Sequence, residues 1–354
     1  MHVGLAGMPG SGKSTVFRAV TGLQAAAESG PKGKPFPGVI DLPDPRLEKL
    51  RAAYKPRKVT PYKIHLLDIP GPGPAPGDEA RKSLPPRFVA DMRTMDVLCA
   101  VTNGFDEGAA SAGGLAGQIR AFRQELILQD LDVVEKKHQR LAKGEKEGFH
   151  GEKEIFVKLR ETLEAEEELR ALHFPDDTLR LLGSYAFLTL KPVVHVLNVS
   201  ESRPLSPGED RGAREEAARQ GAAVAPLFGR LELDLLELPE ADRKDFLRDA
   251  GLEESGTGAL VRTIYNALGL IVFYTAVGEE LRAWGITGGL PVVRAAGKIH
   301  TDMEKGFIKA DVIGFDDFDR LGSEAACRRE AKQRQEGKGY IVRDGDILSI
   351  KFNV

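Results

Sequence analysis

The sequence predicts an α/β fold: a mostly parallel sheet layered with helices, followed by a smaller α+β domain. Three observations predict it. A strand, a Gly-rich turn and a helix open the chain in immediate succession, short apolar runs recur between helical stretches, and from about Leu270 the pattern changes to closely spaced β-like runs. With 354 residues, the chain exceeds one ordinary domain of about 100–200 residues, so two or three modules are expected. Hydrophobic content of 42% supplies a core, while 50 Lys and Arg against 53 Asp and Glu, for a formal charge of −3, give no chain-wide attraction to nucleic acid and no DNA signal. The two cysteines, Cys99 and Cys327, form no disulfide framework, and no segment reaches the roughly 20 apolar residues of a membrane span. A cytoplasmic protein without membrane attachment is expected.

The first strand covers positions 2–6, the turn 7–12, and the helix opens at Lys13-Ser14-Thr15. Gly22 to Pro45 has no sustained period and reads as loop. Tyr62 to Leu67 is a buried strand that delivers Asp68-Ile69-Pro70-Gly71 at its end, and Gly71 to Pro86 is loop again. Further buried strands follow at 97–101 and 192–197. Between them, Ile119 to Ala171 contains no proline, and Ile127, Leu131, Val134, His138 and Leu141 keep a helical seam that Phe156, Leu159 and Leu163 resume after a Gly-containing stretch. Two antiparallel helices result, either packed on the domain or forming a coiled-coil arm. In the last domain, β-like runs lie at 271–274, 306–313, 339–342 and 347–352, with one helix near 323–335 and a hairpin-type turn at Arg343-Asp344-Gly345-Asp346.

Chemistry concentrates in the opening turn. Gly7-Met8-Pro9-Gly10-Ser11-Gly12-Lys13-Ser14 is G-x-x-x-x-G-K-S in the strand–loop–helix context that a phosphate-binding loop requires. Its glycines let backbone N–H groups converge on phosphate oxygens, Lys13 reaches the terminal phosphates, Ser14 is a Mg²⁺ ligand, and the helix N-terminus adds its positive dipole. Asp68, one sheet unit later, supplies the second carboxylate-type partner for Mg²⁺, and Gly71 offers an N–H to a γ-phosphate. Asn198-Val199-Ser200-Glu201 closes the fourth apolar strand where guanine-binding NTPases carry Asn-Lys-x-Asp; Glu201 is a methylene longer than Asp and Val199 replaces the lysine, so base choice stays open. His65, His138, His150, His173, His195 and His300 show no zinc-ligand spacing.

With these residues together, the chain resembles the YchF-type branch of the Obg-like P-loop NTPases. Carrying the resemblance are Gly7 to Thr15, Pro43-Asp44-Pro45-Arg46-Leu47, Asp68 to Gly71, Leu188-Thr189-Leu190-Lys191-Pro192 leading to Glu201, the stretch from His300 to Ile308, and Asp344-Gly345-Asp346 through Val354. The resemblance implies a Ras-like P-loop NTPase sheet (1–112 and 185–272), an inserted helical coiled-coil arm (113–184) and a C-terminal TGS domain of β-grasp fold (273–354). It further implies a cytosolic enzyme that hydrolyses ATP and/or GTP with Mg²⁺ and associates with ribosomes or RNA through the TGS domain and the arm. By position, Pro9, Gly10, Ser11, Gly12, Lys13, Ser14 and Thr15 would hold phosphates, Lys13, Asp68 and Gly71 would serve catalysis, and Asn198, Val199, Glu201, Phe228 and Gly229 would contact the base.

The chain also departs from that pattern. Gly30 to Val39 lacks the threonine that completes Mg²⁺ coordination, leaving Ser29 as the nearest hydroxyl. Pro72 stands where Ras-like enzymes place a water-orienting Gln, and prolines also occupy 74 and 76. Slow or partner-activated turnover is therefore expected. Two alternatives are a non-hydrolysing nucleotide-dependent scaffold and a small-molecule kinase, the latter resting only on the loop style of the first fifteen residues.

Overall fold

A computed structural model describes residues 1–22, 35–71, 84–106, 113–249 and 255–353. The loop positions Ser29, Pro72 and the proline-containing stretch to Gly77 lie outside the described residues. In chain order the elements begin β1 (His2–Gly7), α1 (Lys13–Thr21), β2 (Phe36–Asp41), α2 (Pro45–Tyr54), β3 (Lys58–Thr60), β4 (Lys63–Asp68), α3 (Pro86–Arg93), β5 (Val97–Asn103), α4 (Gly114–Ala142), α5 (Glu152–Glu164) and α6 (Asp176–Leu182). There follow β6 (Val193–Asn198), α7 (Pro207–Ala218), β7 (Ala223–Leu227), α8 (Gly229–Leu236), α9 (Glu240–Asp249) and α10 (Gly256–Ala267). The last part contains β8 (Leu270–Val277), β9 (Glu280–Thr287), α11 (Val292–Ile299), α12 (Thr301–Lys305), β10 (Phe307–Gly314), α13 (Phe315–Leu321), α14 (Glu324–Arg329), β11 (Arg334–Glu336) and β12 (Asp346–Phe352).

Two compact units result, one of Met1–Ile40 with His65–Ala267 and one of Asp41–Ile64 with Leu268–Val354. These limits differ from the sequence expectation at three places, the first being that the C-terminal unit begins at Leu268 rather than at 273. The segment 41–64 joins the C-terminal unit rather than the nucleotide-type sheet, and the inserted helices share a unit with that sheet. No helix among the described residues is long and apolar enough to cross a membrane.

The first unit is built on a six-stranded sheet of order β2-β4-β1-β5-β6-β7, and its described pairings, β1 with β4 and β5, β5 with β6, and β6 with β7, are all parallel. Its central strands are mostly apolar because helices cover both faces: every residue of β6, the polar His195 and Asn198 included, and all but the last of β5 are buried. Phe36 to Asp41, read from sequence as loop, is the edge strand β2. Pro37 and Gly38 conceal it, and an edge position is where a sheet tolerates proline. The 29-residue α4, about 43 Å long, does two jobs. Leu115 and Ile119 pack with Leu197 of β6, Val199 just after it and Ala213 of α7, whereas Ile127, Val134 and Leu141 form a second core with Phe156, Leu159 and Leu163 of α5.

Two charges on α4 are buried among that apolar seam. Asp130 is fully buried and accepts from Leu188 N at 3.0 Å, Thr189 N at 2.7 Å, Thr189 Oγ1 at 2.8 Å and Arg93 at 2.9 Å. The Leu188-Thr189-Leu190 motif is thus the fastening of the helical insertion to the sheet. Lys137 pairs with Glu145 at 2.7 Å and Glu152 at 3.3 Å.

The second unit has a six-stranded mixed sheet of order β11-β10-β12-β8-β9-β3. β9 is not visible in the sequence because Arg282 and Gly285 interrupt the apolar run; it pairs antiparallel with β8. Residues 339–342 form no strand, only an isolated bridge between Pro291 and Ile341. The turn at 343–346 forms, with Gly345 at φ +88° and Asp346 N bonded to Arg343 O at 3.1 Å, but β12 after it pairs with β10 and β8, so no hairpin is made. The helix expected near 323–335 is present but shorter, as α14, and gives way to β11; α13 before it, and α11 and α12, have no counterpart in the sequence reading.

Two motifs distant in sequence meet within this unit. Asp44 caps α2 through Arg46 N at 3.0 Å and also accepts from Tyr274 OH. Arg46 lies over the Tyr274 ring and bonds Asp44 at 3.0 Å and Asp344 at 2.7 Å, while Asp344 accepts from Val272 N at 2.7 Å. The Pro-Asp-Pro-Arg-Leu and Asp-Gly-Asp motifs are therefore a structural lock of the C-terminal unit.

Candidate nucleotide-binding site

Parallel register places the site. Leu5 faces Asp68, Gly7 faces Val101, Asn103 faces Asn198, and Asn198 faces Leu227, so the functional residues collect at the carboxyl ends of the strands. That edge, beside β1, where the chain first builds the β2 and β4 side and then crosses to β5, is where open α/β sheets bind ligands. Residues 8–12 form a turn closed by Ser11 N to Met8 O at 3.1 Å, with Gly10 at φ +80° and Gly12 at φ +77°. Gly12 caps α1 without a side chain, so the first N–H groups of the helix remain available to an anion.

Lys13 reaches across to the Asp68 carboxylate, both side chains being largely buried. The ammonium is thereby held beside the mouth of the loop with its charge compensated. Ser14 is exposed on the first turn of α1, and Thr15 is half-buried beside Gly229. The oxygen-only pair Ser14 and Asp68 fits Mg²⁺, a hard cation that takes its remaining ligands from phosphate and water. Gly71 lies close to Gly7, whose carbonyl a Cβ at position 71 would approach to 3.1 Å.

The residues expected at the base divide. Asn198 is buried, and its Nδ2 donates to Ser11 O at 3.1 Å, so its amide braces the loop. A Cβ at Gly12 would lie 2.1 Å from Asn198 Nδ2, and one at Gly229 would lie 2.6 Å from its Oδ1, so both glycines are there to let this side chain in. Val199 is turned into the apolar cluster with Leu115 and Ile119. Glu201 is exposed in the turn after β6, and Phe228, partly exposed, precedes α8. The structure adds residues the sequence did not single out. Asn103 donates to Gly10 O at 3.1 Å, Gln118 brackets the Asn103 backbone, and the exposed ring of Phe105 flanks Gly12. Nothing in Asn103-Gly104 distinguishes such a role from an ordinary turn after a strand.

Comparison with known proteins bears on the whole chain. Residues 2–140 match the family model described as 50S ribosome-binding GTPase, and residues 270–353 match that of the YchF-GTPase C-terminal domain, described as a protein of unknown function (DUF933). The Ribosome-binding ATPase YchF of Haemophilus ducreyi is 38% identical over 361 residues, covering 99% of each chain. This chain belongs to the YchF/Obg-like ATPase family. The YchF of Bacillus subtilis is 34% identical over 370 residues, all of both chains, and Obg-like ATPase 1 of Caenorhabditis elegans is 32% identical over 369 residues, covering all of this chain and 92% of its own. Among solved structures, the YchF GTPase of Schizosaccharomyces pombe superposes with a TM-score of 0.83 at 26% identity, covering 99% of this chain and 97% of that one. A GTP-binding protein from Pyrococcus horikoshii shares the fold at a TM-score of 0.57 and 19% identity, over all of both chains. The family's P-loop NTPase fold with a C-terminal TGS-type domain is thus the fold of this chain.

Proposed function

We propose that the crevice at the strand ends binds a purine nucleoside triphosphate with Mg²⁺, hydrolyses it slowly, and couples the nucleotide state to ribosome association. The observation that carries this reading is the Gly10–Gly12 turn opening onto the N-terminus of α1, with Lys13 and Asp68 paired at its mouth. The names of the YchF relatives support the ATPase and ribosome parts.

In this reading the P-loop amides and Lys13 bind the β- and γ-phosphates, and Lys13 exchanges its Asp68 partner for phosphate oxygen. Ser14 and Asp68 would hold Mg²⁺, which neutralises charge on the transferring phosphoryl group when bound. Gly71 would present its N–H to the γ-phosphate. Asn198, Glu201, Phe228 and Gly229 would lie along the base side, Asn198 through the loop it braces and Val199 through its backbone. Pro72 has neither an N–H nor a hydrogen-bonding side chain, so the residue that orients water must come from elsewhere in the chain or from the partner.

Single-turnover hydrolysis of Mg²⁺-ATP and Mg²⁺-GTP, with and without ribosomes, tests it. Slow phosphate release that ribosomes accelerate, abolished by Lys13→Ala, is expected. Binding without release in either condition would leave a nucleotide-dependent scaffold, and transfer of phosphate to a nucleoside monophosphate rather than water would make the protein a kinase.

A further inference from the structure

We infer that Asn103 is a positioning residue for nucleotide phosphate, acting through the P-loop backbone. This rests on the proposed nucleotide site. The strands β5 and β6 end in register, Asn103 opposite Asn198, and each asparagine donates its side-chain amide to one of two consecutive P-loop carbonyls. Asn103 Nδ2 lies 3.1 Å from Gly10 O, and Asn198 Nδ2 lies 3.1 Å from Ser11 O.

In a trans peptide the C=O and the following N–H point in opposite directions. Pinning both carbonyls to the strand ends therefore fixes the Gly10–Ser11 and Ser11–Gly12 peptide planes and aims the Gly12 N–H away from the sheet, into the loop. Something must supply that constraint, because Gly10 and Gly12 both sit at positive φ, have no side chains to lock them, and glycine is the freest residue at such angles. On its outer side Gly10 is open, with nothing among the described residues within 4 Å of an added Cβ.

Asn103 is itself held for the task. Its Oδ1 accepts from Phe105 N at 3.2 Å and Asp106 N at 3.1 Å, which fixes which end of the amide points to Gly10. Gln118 of α4 bonds both its backbone N–H, at 3.0 Å, and its carbonyl, at 2.9 Å. An amide also suits the position chemically: it donates without carrying a charge that would compete with Lys13 for phosphate.

Two variants separate the donor from the turn it sits in. Asn103→Asp keeps the acceptor for Phe105 and Asp106 but removes the donor; Asn103→Ser keeps a turn-forming oxygen, carries no charge and is too short to reach Gly10. Calorimetric titration with Mg²⁺-ATP, Mg²⁺-GTP and inorganic tripolyphosphate, a thermal melt without ligand, and steady-state kinetics are the readouts. Both variants should lose about five- to tenfold in affinity for all three probes and raise KM by the same factor, with kcat within about twofold and the ligand-free melt unchanged. The inference is overturned if Asn103→Ser binds like the wild type, which would assign any loss in Asn103→Asp to the new charge. It is equally overturned if both variants lose melting temperature in step with affinity, the mark of a purely structural role. A wild-type chain that binds none of the probes would instead defeat the nucleotide reading itself, and this inference with it.

Discussion

Acidification from about pH 7 to about pH 5 should weaken the nucleotide-binding unit through one side chain, His195. It lies at the centre of β6 with no exposure, touches the edge of the Phe122 ring, and has Gln220 Oε1 at 3.3 Å from Nε2 while Nδ1 has no partner among the described residues. Burial opposes the charged imidazolium and pulls its pKa from 6.5 down to about 4. The native state thus accepts only the neutral ring, whereas the unfolded chain takes up the proton at 6.5. The stabilisation that this ring contributes is complete above that value, falls as the pH drops, and is gone below about 4. At roughly 1.4 kcal/mol per unit, the loss is about 2 kcal/mol by pH 5 and about 3 kcal/mol by pH 4. Urea unfolding followed by far-UV circular dichroism measures it; fluorescence would not, because the single tryptophan, Trp284, belongs to the other unit. His195→Leu should remove that part of the acid slope. An identical slope in the variant and the wild type, or a histidine resonance titrating at or above 6.5 for His195, would refute the reasoning.

Two further substitutions probe the loop and the insertion. Gly12→Ala must adopt a left-handed backbone, at about 1–2 kcal/mol, and must push Asn198 away from Ser11, since the new Cβ would lie 2.1 Å from its Nδ2. A loss of nucleotide affinity of about tenfold or more is expected by calorimetry, and wild-type affinity would contradict the geometry. Asp130→Ala leaves Arg93 and the Leu188 and Thr189 N–H groups without their buried acceptor, so urea unfolding should show a loss of about 3 kcal/mol or more. A change under about 1 kcal/mol would mean that this carboxylate does not fasten the helices.

Much of the sheet could be read from the chain because its central strands are buried on both faces and are therefore continuous apolar runs, as at Val97 and Val193. Two other strands escaped: the edge strand at Phe36-Pro37-Gly38 looks like loop, and β9, an inner strand between β8 and β3, breaks its apolar pattern with Arg282 and Gly285. The phosphate loop was legible because its glycines, lysine and serine are fixed by local spacing. Asn103 was not, since its role depends on the register between β5 and β6 and on a carbonyl far away in sequence. The same holds for Asp130 and Lys137, buried charges whose partners come from other elements, and for Arg46, whose lock with Asp344 joins residues separated by nearly the whole chain. Asn198 was found by its motif, but its amide is spent on Ser11 O, a contact that the strand-end position alone does not reveal.

Isothermal titration of the full chain with Mg²⁺-ATP and Mg²⁺-GTP, repeated on Lys13→Ala, addresses the central claim most directly. Saturable heat from at least one triphosphate, lost in the variant, is the predicted result. Absence of heat from both with the wild-type protein, or undiminished binding by Lys13→Ala, would contradict it.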